Sequence, residues 1–249
     1  MNDRPFLTAE WRYLAMLNYE IAPAVLRAFV PAGTELDTWA GRTLVSVVGF
    51  RFLNTRVLGI PVPLHRNFDE VNLRFYVRRA GPEGWRRAVV FVRELVPRNA
   101  IAWIARLAYN EPYRAVPMRH TVTMATAHDG GGGTVQYEWR HRGQWHRLAT
   151  ATSGPPALPQ LGSEAEFITE HYWGYTAQRD GGAKEYRVAH PQWAVWTVAR
   201  ASLDCDAAAL YGAPFAEALS GPPCSAFVAT GSEVSVSRGR RLPEAAKPG

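Results

Sequence analysis

Lysine is almost missing from this chain. Of 249 residues, 28 are Lys or Arg, yet Lys184 and Lys247 are the only lysines, so a side-chain amine can act at just two places. Cysteine is nearly as scarce. Cys205 and Cys224 form no C-x-x-C pair and have no zinc-ligand spacing, and nothing resembling an export signal accompanies them. They read as reduced, structural thiols of a cytoplasmic protein. No stretch approaches the roughly 18 apolar residues that a transmembrane helix needs. The opening "MNDRPFLTAEW" carries an early acid and lacks the apolar core of a signal peptide. Also absent are G-x-S-x-G, H-E-x-x-H, G-x-G-x-x-G, a Walker loop and an EF-hand pattern. The seven histidines show no metal-ligand spacing, so neither a metal nor a cofactor is expected. A non-local Ser or Cys triad would leave no pattern, and nothing supports one.

What is present is an ordinary globular composition, 47% apolar and 20% charged. The length fits one domain, expected over residues 1–236, with residues 237–249 as a disordered polar tail. The net charge of +6 invites a nucleic-acid partner. The arginines are scattered, however, and interspersed with acids. The densest basic window, "YEWRHRGQWHRL" at 137–148, reads as an exposed hairpin turning at Arg142-Gly143. A basic nucleic-acid module therefore remains only a remote alternative, no membrane partner is indicated, and assembly into a homo-oligomer is compatible with the sequence.

A helix is expected from Pro23, ending at "VPAGTEL", followed by strands at 36–39, 43–53, 70–79 and 87–95 joined by the turns "WAGR" and "RAGPEGW". "NAIAWIARLAYN" (99–110) is the clearest helix, with Asn99 as its N-cap. Strands at 117–127, 134–140 and 144–152 follow; "HDGGGG" at 128–133 lacks the G-K-[ST] of a phosphate loop and reads as a hairpin tip. Ser163 and Glu166 form the S-x-x-E capping box of a short helix, on which His171 is expected beside Glu170. Strands at 184–189, 192–202 and 224–236, with helical turns in "DAAALYGAPFAEAL", complete the chain. Nine or ten strands and few β-α-β units make a mainly β fold, an antiparallel barrel or cone with peripheral helices.

The most informative stretch is "NFDEVNLRFYVRR", residues 67–79. Period two puts Val71, Leu73, Phe75 and Val77 on one side and Glu70, Asn72, Arg74 and Tyr76 on the other. One acid, one amide, one guanidinium and one phenol are equipped to hold a ligand. Glu70 is the candidate general acid or base. Arg74 is the candidate clamp for a substrate carboxylate, and Asn72 and Tyr76 are candidate hydrogen-bond partners. Alternatively the set is a closed structural network in which Glu70 and Arg74 pair. His65, just before the strand, is placed to reach a cavity mouth, and His190 precedes a proline in an extended segment. Trp173, Tyr175, Trp193 and Trp196 read as core or cavity wall.

"LGIPVPLHRNFDEVNLRFYVRR" (58–79) and "ARLAYNEPYRAVPM" (105–118) resemble the YqjF-like family of uncharacterised bacterial proteins, and the likeness runs over roughly residues 5–236. That family is similar to the acetoacetate decarboxylase superfamily, a cone-like antiparallel barrel around a small-molecule cavity. The resemblance implies that the Glu70 side of the strand faces the inside of the cone. It also implies a position of interest just after Pro112, where the decarboxylases carry a lysine whose amine is activated for Schiff-base formation. Here Tyr113 and Arg114 stand in that place. Arginine stays protonated and cannot replace the amine, so Schiff-base chemistry is set aside unless Lys184 folds inward. The expected function is an enzyme acting on a small carboxylate or ketone by acid/base chemistry, of lyase, isomerase or cyclase type. The alternative is a non-catalytic small-molecule receptor or sensor with the same cavity.

Overall fold

The computed structural model describes residues 4–62, 65–97, 112–124 and 131–242. The expected helix at 99–110 lies outside them. Among the described residues are fifteen strands, more than the nine or ten expected. The first half holds β1 (Leu7–Glu20), β2 (Glu35–Leu36), β3 (Leu44–Val57), β4 (Ile60–Pro61), β5 (Phe68–Gly81), β6 (Gly84–Val96) and β7 (Tyr113–Ala115). The second holds β8 (Met118–Met124), β9 (Gly132–His141), β10 (Gln144–Ala157), β11 (Trp173–Ala177), β12 (Ala183–Ala189), β13 (Val195–Asp204), β14 (Ser225–Val236) and β15 (Arg240–Arg241). Four short α-helices among the described residues join them, α1 (Pro23–Leu26), α2 (Glu164–Thr169), α3 (Ala207–Tyr211) and α4 (Ala213–Ala218), and a 3-10 turn (Arg27–Phe29) follows α1.

Strands β12, β11, β6, β5, β3, β1 and β14 are hydrogen-bonded in that order, and β14 pairs back to β12 through Val188↔Val236 and Ala189↔Ser235. Seven strands thus close a ring. From β14 the sheet runs on through β13, β10, β9 and β8, and this second half covers the outer side of β1, β3 and β5. β5 is buried on both faces for that reason. Its Val71, Leu73, Phe75 and Val77 enter a core with Tyr137, Trp139 and Phe215, whereas Phe68 and Tyr76 join Leu14, Phe50 and Phe52 in a second core inside the ring.

A tightly curved sheet cannot keep strict alternation all the way round. Three β-bulges absorb the misfit. In β1 the register slips between Arg12 and Ala15, with Tyr13 at φ 54°; in β3 it slips opposite Thr8 and Glu10, with Asn54 at φ 54°. In β6 Val92 is the extra residue, between Phe91 (opposite Arg74) and Arg93 (opposite Leu73). Residues three apart, which would otherwise point to opposite faces, therefore both point inward: Trp11 with Leu14, Phe52 with Thr55, and Phe91 with Glu94.

Among the strands of five residues or more, β1 and β11 have no counterpart in the sequence reading, and the tail expectation needs correction. Residues 237–242 are held against the ring: Ser237 donates its N–H to Arg187 O, Arg240 and Arg241 pair with Glu185 and Lys184, and Leu242 N bonds Ala183 O. By contrast the Arg142-Gly143 hairpin is as expected, with both residues at positive φ (50° and 83°), the signature of a type I′ turn. Half of the expected capping box also forms: Ser163 Oγ accepts from Glu166 N at 3.2 Å, but the Glu166 carboxylate accepts from Gly162 N, and the Ser163 N–H goes to Gln160 O.

The two halves of the sheet meet closely at Gly49, where an added Cβ would lie 2.5 Å from Cδ2 of Tyr137, whose hydroxyl donates to Tyr13 O at 2.9 Å. Gly49→Ala should therefore lower stability by about 1–3 kcal/mol in urea unfolding. Gly221→Ala, in open space, should stay within about 0.5 kcal/mol.

Candidate functional site

Inside the ring lies a cavity of about 130 Å³. An engineered cavity of about 150 Å³ holds one benzene, so the space suits a ligand of some six heavy atoms. Its wall is mostly apolar: Trp11, Leu14, Phe50, Phe52, Phe68, Val89, Phe91, Ile168 and Trp193 contribute. Into that wall β5 sends Glu70, Asn72 and Arg74, β6 sends Glu94, and the segment after α2 sends His171. Apolar walls with a few convergent polar groups are the usual composition of a small-molecule site.

At one end Glu70 is tied by its neighbours. Asn72 Nδ2 donates to Glu70 Oε1 at 2.9 Å and Tyr113 OH donates to Glu70 Oε2 at 3.3 Å. Glu94 sits opposite Asn72 on one side and Tyr113 on the other, which brings a second buried carboxylate into the same corner. Asn72 Oδ1 has no hydrogen-bond partner among the described residues.

Arg74 lies four residues along β5, its Cα roughly 13 Å from that of Glu70 by strand rise. It is 9% exposed and has no carboxylate within ion-pair distance among the described residues. Its NH2 donates to Ile168 O at 3.3 Å and touches Met16 Sδ at 3.7 Å, and its guanidinium stands 5.7 Å over the Tyr76 ring. Nε has no partner among the described residues. The structural pair of Glu70 with Arg74 is not formed; acid and guanidinium both line one cavity.

His171 completes the Arg74 end. It follows α2 rather than lying on it, and its ring packs on Tyr76 at 4.7 Å and edge-on to Phe167 at 5.3 Å. Nε2 is 3.8 Å from Asp37 Oδ2, beyond hydrogen-bond reach, and that carboxylate is held by Arg87 Nε at 3.0 Å. Burial, helped by the nearby Arg87 and Arg74 charges and opposed by Asp37, pushes the His171 pKa down to about 4. The imidazole is neutral near pH 7, with neither ring nitrogen hydrogen-bonded among the described residues.

Six of the eight residues singled out in the sequence line the cavity: Glu70, Asn72, Arg74, Tyr113, His65 and His190. His190 is at the edge, stacked on Trp193 at 3.9 Å with Nδ1 2.9 Å from Pro191 O, and burial lowers its pKa. Two do not line it. Arg114 is exposed, because it follows Tyr113 on β7 and neighbours on a strand point to opposite sides. Tyr76 is buried beneath Arg74, but its hydroxyl is already used. Ser46 Oγ donates to Asn18 Oδ1 at 2.6 Å, so in the 2.5 Å contact of Ser46 with Tyr76 the phenol must be the donor. The chain continues from Asn18 Nδ2 to Ser225 Oγ (2.8 Å) and on to Glu164. Tyr76 therefore offers the site a ring face and no free donor. Lys184 shares the inward side of β12 with Tyr186 and Val188, but no lysine among the described residues lines the cavity. Among the polar lining residues, Thr55, Glu94, Thr169, His171 and Tyr186 are ones that sequence reasoning does not select. No group of three or more metal-ligating side chains occurs among the described residues, and none of their helices is long and apolar enough to cross a membrane.

A closed ring of seven strands around a small cavity, antiparallel except where β11 runs parallel to β6, is the architecture of the acetoacetate decarboxylase-like fold. Solved structures of that class superpose on nearly the whole chain. Acetoacetate decarboxylase from Legionella pneumophila subsp. pneumophila str. Philadelphia 1 gives a TM-score of 0.66 at 15% identity, over 96% of this chain and 87% of that one. An acetoacetate decarboxylase-like enzyme from Sphingomonas wittichii RW1 gives 0.63 at 15% identity, over 98% and 94%. The enduracididine biosynthesis enzyme MppR, complexed with pyruvate, gives 0.66 at 14% identity, over 98% and 92%. At such identities the likeness is one of fold. In sequence, residues 8–233 match DUF2071, and the chain belongs to this family of uncharacterized conserved proteins. It is similar to the uncharacterized protein YqjF of Bacillus subtilis (strain 168), 27% identical over 175 residues, which are 68% of this chain and 67% of that protein.

The His171 shift has a consequence for stability. The folded state resists protonation between the ordinary histidine pKa of about 6.5 and the folded value of about 4, while the unfolded chain takes up the proton. The His171 contribution is therefore intact above about pH 6.5 and lost as pH falls towards 4, at a slope on the order of 1 kcal/mol per pH unit. Denaturant unfolding from pH 7 to 4.5 should show a shallower decline in His171→Asn than in wild type.

Proposed function

We propose that this protein is an enzyme acting on a small oxo-acid or related carbonyl compound, through acid/base chemistry and without a Schiff-base lysine. The observation that carries this is Arg74, a buried guanidinium on the cavity wall with no carboxylate partner among the described residues. A buried cation left unpaired costs several kcal/mol, and a ligand carboxylate can supply the missing charge with bidentate geometry. The compound's carbonyl end then extends along the cavity towards Glu70. There a carboxylate fixed by Asn72 and Tyr113 is placed to move a proton on carbon or oxygen, as an enolisation, isomerisation or lyase step requires. The pyruvate complex of MppR supports an oxo-acid of this size as the ligand class. A non-catalytic receptor is the second reading, favoured by the two hydrogen bonds that already occupy Glu70.

A thermal-shift panel of short oxo-acids, hydroxy acids and uncharged ketones tests the anchor. A ligand at a hundredfold its Kd adds about 2.7 kcal/mol, a rise in Tm of roughly 5–10 °C for a chain of this size. Acids should raise the Tm of wild type and not of a folded Arg74→Ala; equal shifts in both would remove Arg74 from the site. Deuterium exchange at the carbon next to the carbonyl, followed by NMR, separates enzyme from receptor. Glu70→Gln should slow it by about 10²–10⁴ while binding persists; no exchange in wild type would leave the receptor.

A further inference from the structure

Arg74 does not stand alone at its end of the cavity. His171 faces the same space, fully buried, with both ring nitrogens lacking a hydrogen-bond partner among the described residues. Buried polar groups are rarely left so. A buried imidazole whose acidic neighbour, Asp37, stands beyond hydrogen-bond reach at 3.8 Å, beside an arginine with no acid among the described residues, makes a pair whose vacant capacity points to one ligand group. Building on the carboxylate-anchor role of Arg74 above, we propose that His171 is the proton-accepting half of the anchor, so that a small oxo-acid carboxylate is bound at Arg74 together with one proton taken from solvent onto the imidazole.

The groups around His171 fix the direction of this coupling. Arg74 and Tyr76 face it from β5, Arg87 from β6, Asp37 from the segment after β2, and the Phe167 ring from α2. His190 and, next in sequence, Glu170 complete the surroundings. In the empty site burial and two guanidinium groups oppose a positive imidazole, while Asp37, which Arg87 also holds, favours it without reversing the balance. A ligand carboxylate changes both conditions at once. It neutralises Arg74, and it offers an oxygen that an imidazolium N–H can bond. Displacing cavity water works against the charged ring, but an opposite charge in direct contact dominates in a buried site. Protonation of His171 is then easier in the complex than in the free protein. By linkage, affinity is highest at low pH, falls as pH rises between the free and bound values of the ring, and levels off above the bound value. His190 differs: its ring is stacked on Trp193 and Nδ1 is engaged by Pro191 O, so it has less capacity to answer a ligand.

Calorimetric titration with pyruvate and with acetoacetate, from pH 5 to 7.5 and in two buffers of different ionisation enthalpy, tests this. Binding should weaken by up to about tenfold per pH unit over part of the range, with uptake approaching one proton. His171→Asn should still bind in an Arg74-dependent way but lose both the pH slope and the proton uptake, whereas His190→Asn should keep them. Should His171→Asn fail to fold, the ring carbon-bound proton signals of His171 in wild type serve instead, and their titration midpoint should move upward when pyruvate is added. Binding with no pH slope, an unmoved midpoint, or a slope that vanishes in His190→Asn would overturn the role of His171 and leave Arg74 standing. No binding of either acid at any pH would overturn both.

Discussion

Closing seven strands into a ring is the constraint on which everything else rests. The ring depends on a short seam, two residue pairs between β12 and β14, and on strands curved enough to meet there. Curvature breaks the alternation of side chains, and the bulges at Tyr13, Asn54 and Val92 restore it at the points where it would fail. Without the extra residue in β6, Phe91 and Glu94 could not both face inward, and the Glu70 corner would lose its second carboxylate. The bulges are thus the means by which a continuous sheet presents a polar interior at chosen positions only.

That interior is held by two kinds of polar arrangement. From Tyr76 through Ser46, Asn18 and Ser225 to Glu164, each donor has one acceptor and the network is closed; it ends at the surface, where Arg42 pairs with Glu164 at 2.8 Å. Such a chain fixes the ring of Tyr76, and through it the floor under Arg74 and His171. The cavity groups are different. Arg74 Nε, Asn72 Oδ1 and both nitrogens of His171 have no hydrogen-bond partner among the described residues. Leaving buried groups unsatisfied costs about 1–3 kcal/mol each. The proposed ligand would supply those partners and offset that cost.

Much of this is legible in the sequence because period two is a local property. The polar and apolar sides of 70–77 separate in the structure as they do on paper, and the hairpin at Arg142-Gly143 and the cap at Ser163 follow from short-range backbone chemistry. β1 escapes such a reading because a bulge at Tyr13 shifts the alternation in mid-strand, so that Trp11 and Leu14 do not look like one face. Arg114 is a false candidate that strand geometry alone could have removed, since it and Tyr113 cannot share a face. Tyr76 looks like a free donor because the sequence holds no record that Ser46, thirty residues away, claims its hydroxyl. His171 has no local motif to announce it. Its surroundings come from Asp37, Arg74 and Arg87, which only the closed ring brings to it.

The central claim is that Arg74 is vacant for a ligand carboxylate and not for an acid of the protein itself. A crystal structure of the protein grown with pyruvate tests it most directly. The account predicts a carboxylate on the Arg74 guanidinium with two N–H···O contacts of about 2.7–2.9 Å, its carbonyl turned along β5 towards Glu70. An empty cavity with a side-chain carboxylate closed onto Arg74, or pyruvate bound with its carboxylate away from that guanidinium, would contradict it.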